Sequence, residues 1–183
     1  AGTEGLAKRL EGIQITLVEK GGSAPGMYGG GFIKPGLGTK DGVNYKTHIE
    51  SYGWQSWRSN GESSGTMGEA KRLEGICIQV QNPGAAGDID YQTHVQTYGW
   101  QNWVKDGAES GTSGQAKRLE GIKIRLTGEL AEHYDIYYRV HVQTYGWQDW
   151  VKNGEMAGTS GEAKRLEAIE IKLVEKPKPV PPE

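Results

Sequence analysis

The chain has 183 residues, 35 % of them apolar and 29 of them glycine, and its 21 basic and 23 acidic side chains leave a formal charge of −2 with a pI near 6.1. That balance excludes nucleic acid as a partner, because phosphate recognition needs a concentrated basic face. A lone cysteine, Cys77, excludes an internal disulfide, and no apolar run is long enough to span a bilayer, which argues against membrane insertion.

Residues 1–20 carry Ala7-Lys8-Arg9-Leu10-Glu11-Gly12-Ile13, a phrase that returns at residues 70–76, 116–122 and 163–169. A second phrase has one copy fewer: Tyr52-Gly53-Trp54-Gln55-Ser56-Trp57, Tyr98-Gly99-Trp100-Gln101-Asn102-Trp103 and Tyr145-Gly146-Trp147-Gln148-Asp149-Trp150, which together hold all six tryptophans. Spacings of 46 and 47 residues between Trp54, Trp100 and Trp147 mark copies of one supersecondary unit. Taking the tryptophan phrase as a unit's first half and the Lys-Arg-Leu-Glu phrase as its second divides the chain. It reads as a partial repeat joining the β domain (1–20), a Gly-rich insert loop (21–42), repeats at 43–88, 89–135 and 136–174, and a Pro-rich linker (175–183). The insert holds nine glycines and two prolines and reads as a long surface loop; the linker holds four of the seven prolines and reads as a stiff, extended spacer.

Each first half alternates with period two. Val43, Tyr45, Thr47, Ile49 and Ser51 share one side, as do Ile89, Tyr91, Thr93, Val95 and Thr97, and Ile136, Tyr138, Val140, Val142 and Thr144, which predicts a half-buried strand of nine or ten residues. The pairs Asn60-Gly61, Asp106-Gly107 and Asn153-Gly154 tolerate positive φ and predict tight hairpin turns. A second turn follows at Gly65-Thr66-Met67-Gly68 and its copies, then another strand through Leu73, Ile76, Ile78 and Val80. The step from Leu73 to Ile76 breaks alternation and predicts a bulge near Gly75, Gly121 and Ala168. Nothing has the 3.6-residue period of a long amphipathic helix. The class is all-β, with the units closed around a pseudo-threefold axis that removes exposed sheet edges. The long first strand favours a β-prism, and the Gln-x-Trp triplets keep a β-trefoil as the alternative.

The run Tyr138-Arg139-Val140-His141-Val142-Gln143-Thr144-Tyr145-Gly146-Trp147-Gln148-Asp149-Trp150, followed by Gly158-Thr159-Ser160-Gly161 and Arg165-Leu166-Glu167-Ala168-Ile169, resembles the clostridial hydrophobic W (ChW) repeat, as do its copies from residue 43 onward and the partial copy at the start. The resemblance implies a secreted or cell-surface module of Gram-positive bacteria, set beside other domains and engaged in adhesion or polysaccharide binding. It brings no catalytic residues.

Two residues three apart on a strand face opposite ways. Parity therefore puts Trp57, Trp103 and Trp150 with the core side chains, where an aromatic ring contributes most by burial, and puts Trp54, Trp100 and Trp147 on the other face. That other face carries the candidate ligand-binding set: His48, Glu50, Tyr52 and Trp54; His94, Gln96, Tyr98 and Trp100; His141, Gln143, Tyr145 and Trp147. An indole gives a platform for the C–H face of a sugar ring, its polar neighbours serve the hydroxyls, and three equal sites raise avidity for a repeating polymer. His48, His94 and His141 can also be imagined as a three-His metal site, but no carboxylate cluster supports one, so neither metal nor cofactor is expected. The Lys-Arg-Leu-Glu phrases read as local ion pairs on a solvated edge. Cys77 occupies a position that is Gln14, Lys123 or Glu170 in the other copies, which predicts a partly exposed thiol. A triplicated acid or base suits binding better than chemistry. The expected function is a non-catalytic extracellular or cell-surface module that recognises polysaccharide. The alternative is a structural protein that self-associates, since four second halves against three first halves leave a strand with which to complete a neighbouring molecule's sheet.

Overall fold

The computed structural model describes residues 40–177; the expectations for 1–20, for the insert up to residue 39 and for the linker from residue 178 fall outside them. The first repeat forms β1 (Gly42–Ile49), β2 (Gly53–Trp54), β3 (Arg58–Ser59), β4 (Ser64–Gly65) and β5 (Leu73–Gln81). The second forms β6 (Ile89–Val95), β7 (Gly99–Trp100), β8 (Val104–Lys105), β9 (Ser110–Gly111) and β10 (Leu119–Leu126). After a short helix α1 (Gly128–His133), which the sequence reading missed, the third forms β11 (Tyr134–Val142), β12 (Gly146–Trp147), β13 (Val151–Lys152), β14 (Ala157–Gly158) and β15 (Leu166–Glu175). The Pro-rich segment starts later than its sequence suggests, because Glu175 still pairs with Tyr134.

The protein is all-β, built as three five-stranded antiparallel sheets. In each, the first-half long strand pairs along its length with the second-half long strand of the same repeat: β1 with β5, β6 with β10, β11 with β15. The register slips once per sheet, between His48 and Ile49 and at the equivalent points, leaving Glu74, Glu120 and Glu167 without a cross-strand partner. This is the bulge that broken alternation predicted, one residue before Gly75.

The fourth strand of each sheet comes from a different repeat. β9 pairs onto β5, β14 onto β10, and β4 returns to β15, so each repeat lends its Ser-Gly or Ala-Gly strand to a neighbour and the series ends where it began. Only glycine fits this approach: a Cβ on Gly111, at φ +118°, would stand 2.5 Å from the Glu74 carbonyl oxygen and 2.8 Å from the Gly75 Cα. Two further bonds follow the same circuit. The Gly61, Gly107 and Gly154 amides donate to the Ile171, Ile78 and Ile124 carbonyls at 2.7, 2.6 and 2.6 Å. The same three isoleucines donate their own amides to the hydroxyls of Tyr45, Tyr91 and Tyr138 at 3.1, 3.0 and 3.0 Å. Both residues of each Asn-Gly or Asp-Gly turn have positive φ, as their sequence requires.

The inward faces of the three sheets merge into one apolar cluster of Ile, Val and Leu with Tyr45, Tyr91 and Tyr138. Each tyrosine hydroxyl, besides accepting from the neighbouring repeat, donates to the carbonyl of Glu62, Ala108 or Glu155 in its own. Burial raises the phenol pKa to about 12 for Tyr45 and Tyr138, and raises that of Tyr91 as well. Thr47 and Ser64 bond hydroxyl to hydroxyl at 2.9 Å, as do Thr93 and Ser110. In the third repeat the equivalent Val140 and Ala157 are both apolar and both buried, so neither leaves an orphaned polar group.

Three expectations need correction. The first strand does not run on through the tryptophans: it ends at Ile49, Val95 and Val142, and a tight turn with Ser51, Thr97 and Thr144 at φ 68°, 68° and 69° sends the chain back. Parity counted across that turn fails, and Trp57, Trp103 and Trp150 lie outside the core with the other indoles. Cys77 is buried rather than partly exposed, since it is a small side chain directly across from Lys46, whose long chain lies along the same face.

Candidate functional site

The turn at residues 50–52 and its copies build the site. By folding Gly53–Trp54 back on the end of β1, it sets Trp54 directly across from His48, and likewise Trp100 across from His94 and Trp147 across from His141. Imidazole and indole meet edge to face, with centroids 5.4, 5.4 and 5.6 Å apart. The adjacency read from a single strand face is real, but it arises between strands.

Each imidazole is held from behind by the bulged glutamate. Nδ1 of His48, His94 and His141 lies 3.2, 3.1 and 3.0 Å from Oε2 of Glu74, Glu120 and Glu167, a close approach without hydrogen-bond geometry. The second oxygen of each carboxylate takes the Nε–H of Arg72, Arg118 or Arg165 at 2.9, 2.8 and 2.9 Å. The local Arg–Glu pairs expected from the repeated phrase therefore exist. The glutamates, however, are only 3 to 6 % exposed, not on a solvated edge, because the bulge turns them inward beneath the histidine. These three residues were missed as site members; the break in alternation that located the bulge was their signal.

Glu50 pairs with Arg72, and the amides of Glu50, Gln96 and Gln143 donate to the carbonyls of Arg72, Arg118 and Arg165 at 3.0 Å in every copy. Tyr52, Tyr98 and Tyr145 stand at the turn, 54, 54 and 55 % exposed. Their rings turn to Lys71, Lys117 and Lys164, each 5.5 Å from the ring centre, and Tyr52 and Tyr145 donate to Glu69 and Glu162 at 2.7 and 2.8 Å. Those hydrogen bonds to carboxylates raise both phenol pKa values.

The indoles line the outer side of the sheets and alternate with cations. Lys46 Nζ lies 5.0 Å from the centres of both Trp54 and Trp57, and the Arg139 guanidinium 4.9 and 4.8 Å from Trp147 and Trp150. The equivalent position in the second repeat is Gln92; there Lys123 covers Trp100 at 4.9 Å and Arg125 covers Trp103 at 4.2 Å. Such stacking orients each indole and keeps its faces in a charged, wet setting. Gln55 and Gln101 spend their side chains on the Gly53 and Gly99 carbonyls at 3.0 and 3.1 Å, and Gln148 accepts from the Gly158 amide at 2.8 Å, so this part of the phrase is structural. Among the described residues no three potential metal ligands gather, and His48, His94 and His141 belong to three different sheets.

The clostridial hydrophobic W family model matches residues 48–82, 94–128 and 141–175, more than half of the chain. The chain belongs to the clostridial hydrophobic W family. Each ChW match begins at the histidine that faces the indole and ends within or just past the second long strand, so it holds the tryptophan pair, the lent strand and the bulged glutamate of one repeat. No curated protein and no solved structure matches the chain.

Proposed function

We propose that this ChW protein is a non-catalytic, extracellular or cell-surface binding module that takes polysaccharide on its three outer faces, and that the three sheets form a β-prism. Supporting the prism over a trefoil are three separate sheets of fully paired long strands and a strand exchange that passes through all three repeats. The observation that carries the binding reading is that six tryptophans, repeated in position and with Trp54, Trp100 and Trp147 in edge-to-face contact with histidine, all stand outside a core that has tyrosine, isoleucine, valine and leucine to fill it. A large aromatic ring left partly wet in every copy is poor packing and a good platform for a sugar ring.

The test is retention on insoluble polysaccharides and glycan arrays of the full chain against two triple variants, one with Trp54, Trp100 and Trp147 changed to Ala and one with Trp57, Trp103 and Trp150 changed to Ala. Loss of retention in at least one folded variant is expected; unchanged retention in both sinks the reading.

A second reading, a self-assembling surface protein, is favoured by the lent strands. Ser64–Gly65 crosses to Ala168 and Ile169, about a hundred residues away in sequence, and the same exchange between molecules would link chains end to end. Light scattering across a concentration series tests it: a monomer at every concentration removes it.

A further inference from the structure

The three outer faces are not chemically equal. One row across each sheet, centred on residues 44, 90 and 137, four residues before His48, His94 and His141, shows the difference. In the first repeat this row is Gln79, Asn44 and Ser59, with Asn44 fully buried. In the second it is Arg125, Asp90 and Lys105, and Asp90 takes Arg125 at 3.1 Å, so the acid answers the base. In the third it is Lys172, Tyr137 and Lys152: an aromatic ring replaces the amide or acid and stands between two lysines.

Around that ring lies a groove of about 400 Å³, lined by Tyr137, Trp150, Lys172 and Val174, with Val174 43 % exposed. Lys172 Nζ lies 4.4 Å from the Trp150 ring centre, and Lys152 Nζ lies 5.6 Å from that of Tyr137. Lys152 has a loose ion pair with Asp135 at 3.6 Å. Among the described residues no carboxylate lies within 4.0 Å of Lys172. An apolar floor flanked by two cations, one without a carboxylate partner, complements a ring that is apolar on one face and carries a negative charge at its edge.

The geometry points to this groove as a site for an acidic sugar of the uronic acid class, its ring lying against Tyr137, Trp150 and Val174 and its carboxylate held by Lys172 with Lys152. The inference deepens the polysaccharide reading and rests on it: the third repeat is the selective site, and the other two are its lower-affinity companions on a repeating polymer.

The test titrates the full chain by calorimetry and indole fluorescence with a short galacturonic acid oligomer, its fully methyl-esterified form and the neutral galactose oligomer of equal length. The acid is expected to bind at least about tenfold tighter than its ester; Lys172→Gln should lower that affinity about tenfold, since a charge-assisted contact is worth that much, and Tyr137→Asn about tenfold by removing the apolar floor. Raised salt should weaken only the acid. Lys105→Gln in the second repeat should leave the acid's affinity within about twofold, as it removes a cation that pairs with Asp88 on a different face. Equal affinity for acid and ester, or a folded Lys152→Gln and Lys172→Gln double variant that binds the acid as wild type does, overturns the acidic-sugar site. In either case a neutral oligomer that is still lost with Trp54, Trp100 and Trp147 leaves the wider reading standing. Absence of binding to all three oligomers and to the array overturns both.

Discussion

Tyr45, Tyr91 and Tyr138 on the inner face, and the six tryptophans on the outer, are both large aromatics repeated by the same triplication, yet the tyrosines are sealed and every indole is at least partly wet. What separates them is not size or apolarity. Each buried tyrosine hydroxyl closes a bond to its own repeat and another to the next, so it ties two sheets together where no water reaches. The indoles satisfy their faces with lysine and arginine instead, partners that remain exchangeable. Repetition marks a residue as part of the unit's design; the side of the sheet tells whether that design is packing or contact.

The comparison breaks most sharply where the inner assembly depends on glycine. Gly111→Ala should cost about 3 to 5 kcal/mol by chemical denaturation, because the new Cβ meets backbone on the adjoining repeat and cannot move aside. Beneath the outer face, Glu120→Ala leaves the guanidinium of Arg118 and the ring of His94 without their buried anion, and should cost about 2 to 3 kcal/mol with a shift in indole emission from Trp100. Tyr138→Phe keeps the ring but orphans the Ile124 amide and the Glu155 carbonyl, for about 1 to 2 kcal/mol in thermal unfolding.

The same hydroxyls give a pH signature with a definite sign. Their folded pKa values lie above the unfolded value near 10, so they contribute stability that is fully present below about pH 10 and lost as pH rises through about 12. Alkaline denaturation should steepen across that window and be blunted in Tyr45→Phe and Tyr138→Phe. The smallest effect belongs to the outer face. Trp54→Ala and Trp103→Ala should each cost no more than about 1 kcal/mol, against about 3 to 5 for a tryptophan sealed in a core, and a loss in the larger range would place the indoles with the packing residues.

The repeat boundaries, the alternating strand, the positive-φ turns and the bulge were legible because each is a local rule written in a few adjacent residues: period two in Val43, Tyr45, Thr47 and Ile49, a glycine after Asn60, a missing beat between Leu73 and Ile76. The histidine, tyrosine and tryptophan patches were legible as a set, but the partnership of His48 with Trp54 runs across strands, and the turn that creates it puts Ser51 at positive φ with no strong turn signal of its own. Glu74 looked like a solvated charge because its burial depends on which way a bulge points, and six tryptophans looked partly like core because single-strand parity cannot see a chain reversal.

By itself the sequence determined an all-β protein of three like units with aromatic outer faces, since alternation and turn chemistry act over neighbours and survive copying. Only the tertiary structure decided that the strand of each unit lies on another unit's sheet, that three tyrosines rather than the indoles seal the joints, and that the third face alone sets an aromatic ring between two lysines. Those facts depend on which strands lie side by side, and the free energy that selects a neighbour comes from fit between surfaces far apart along the chain.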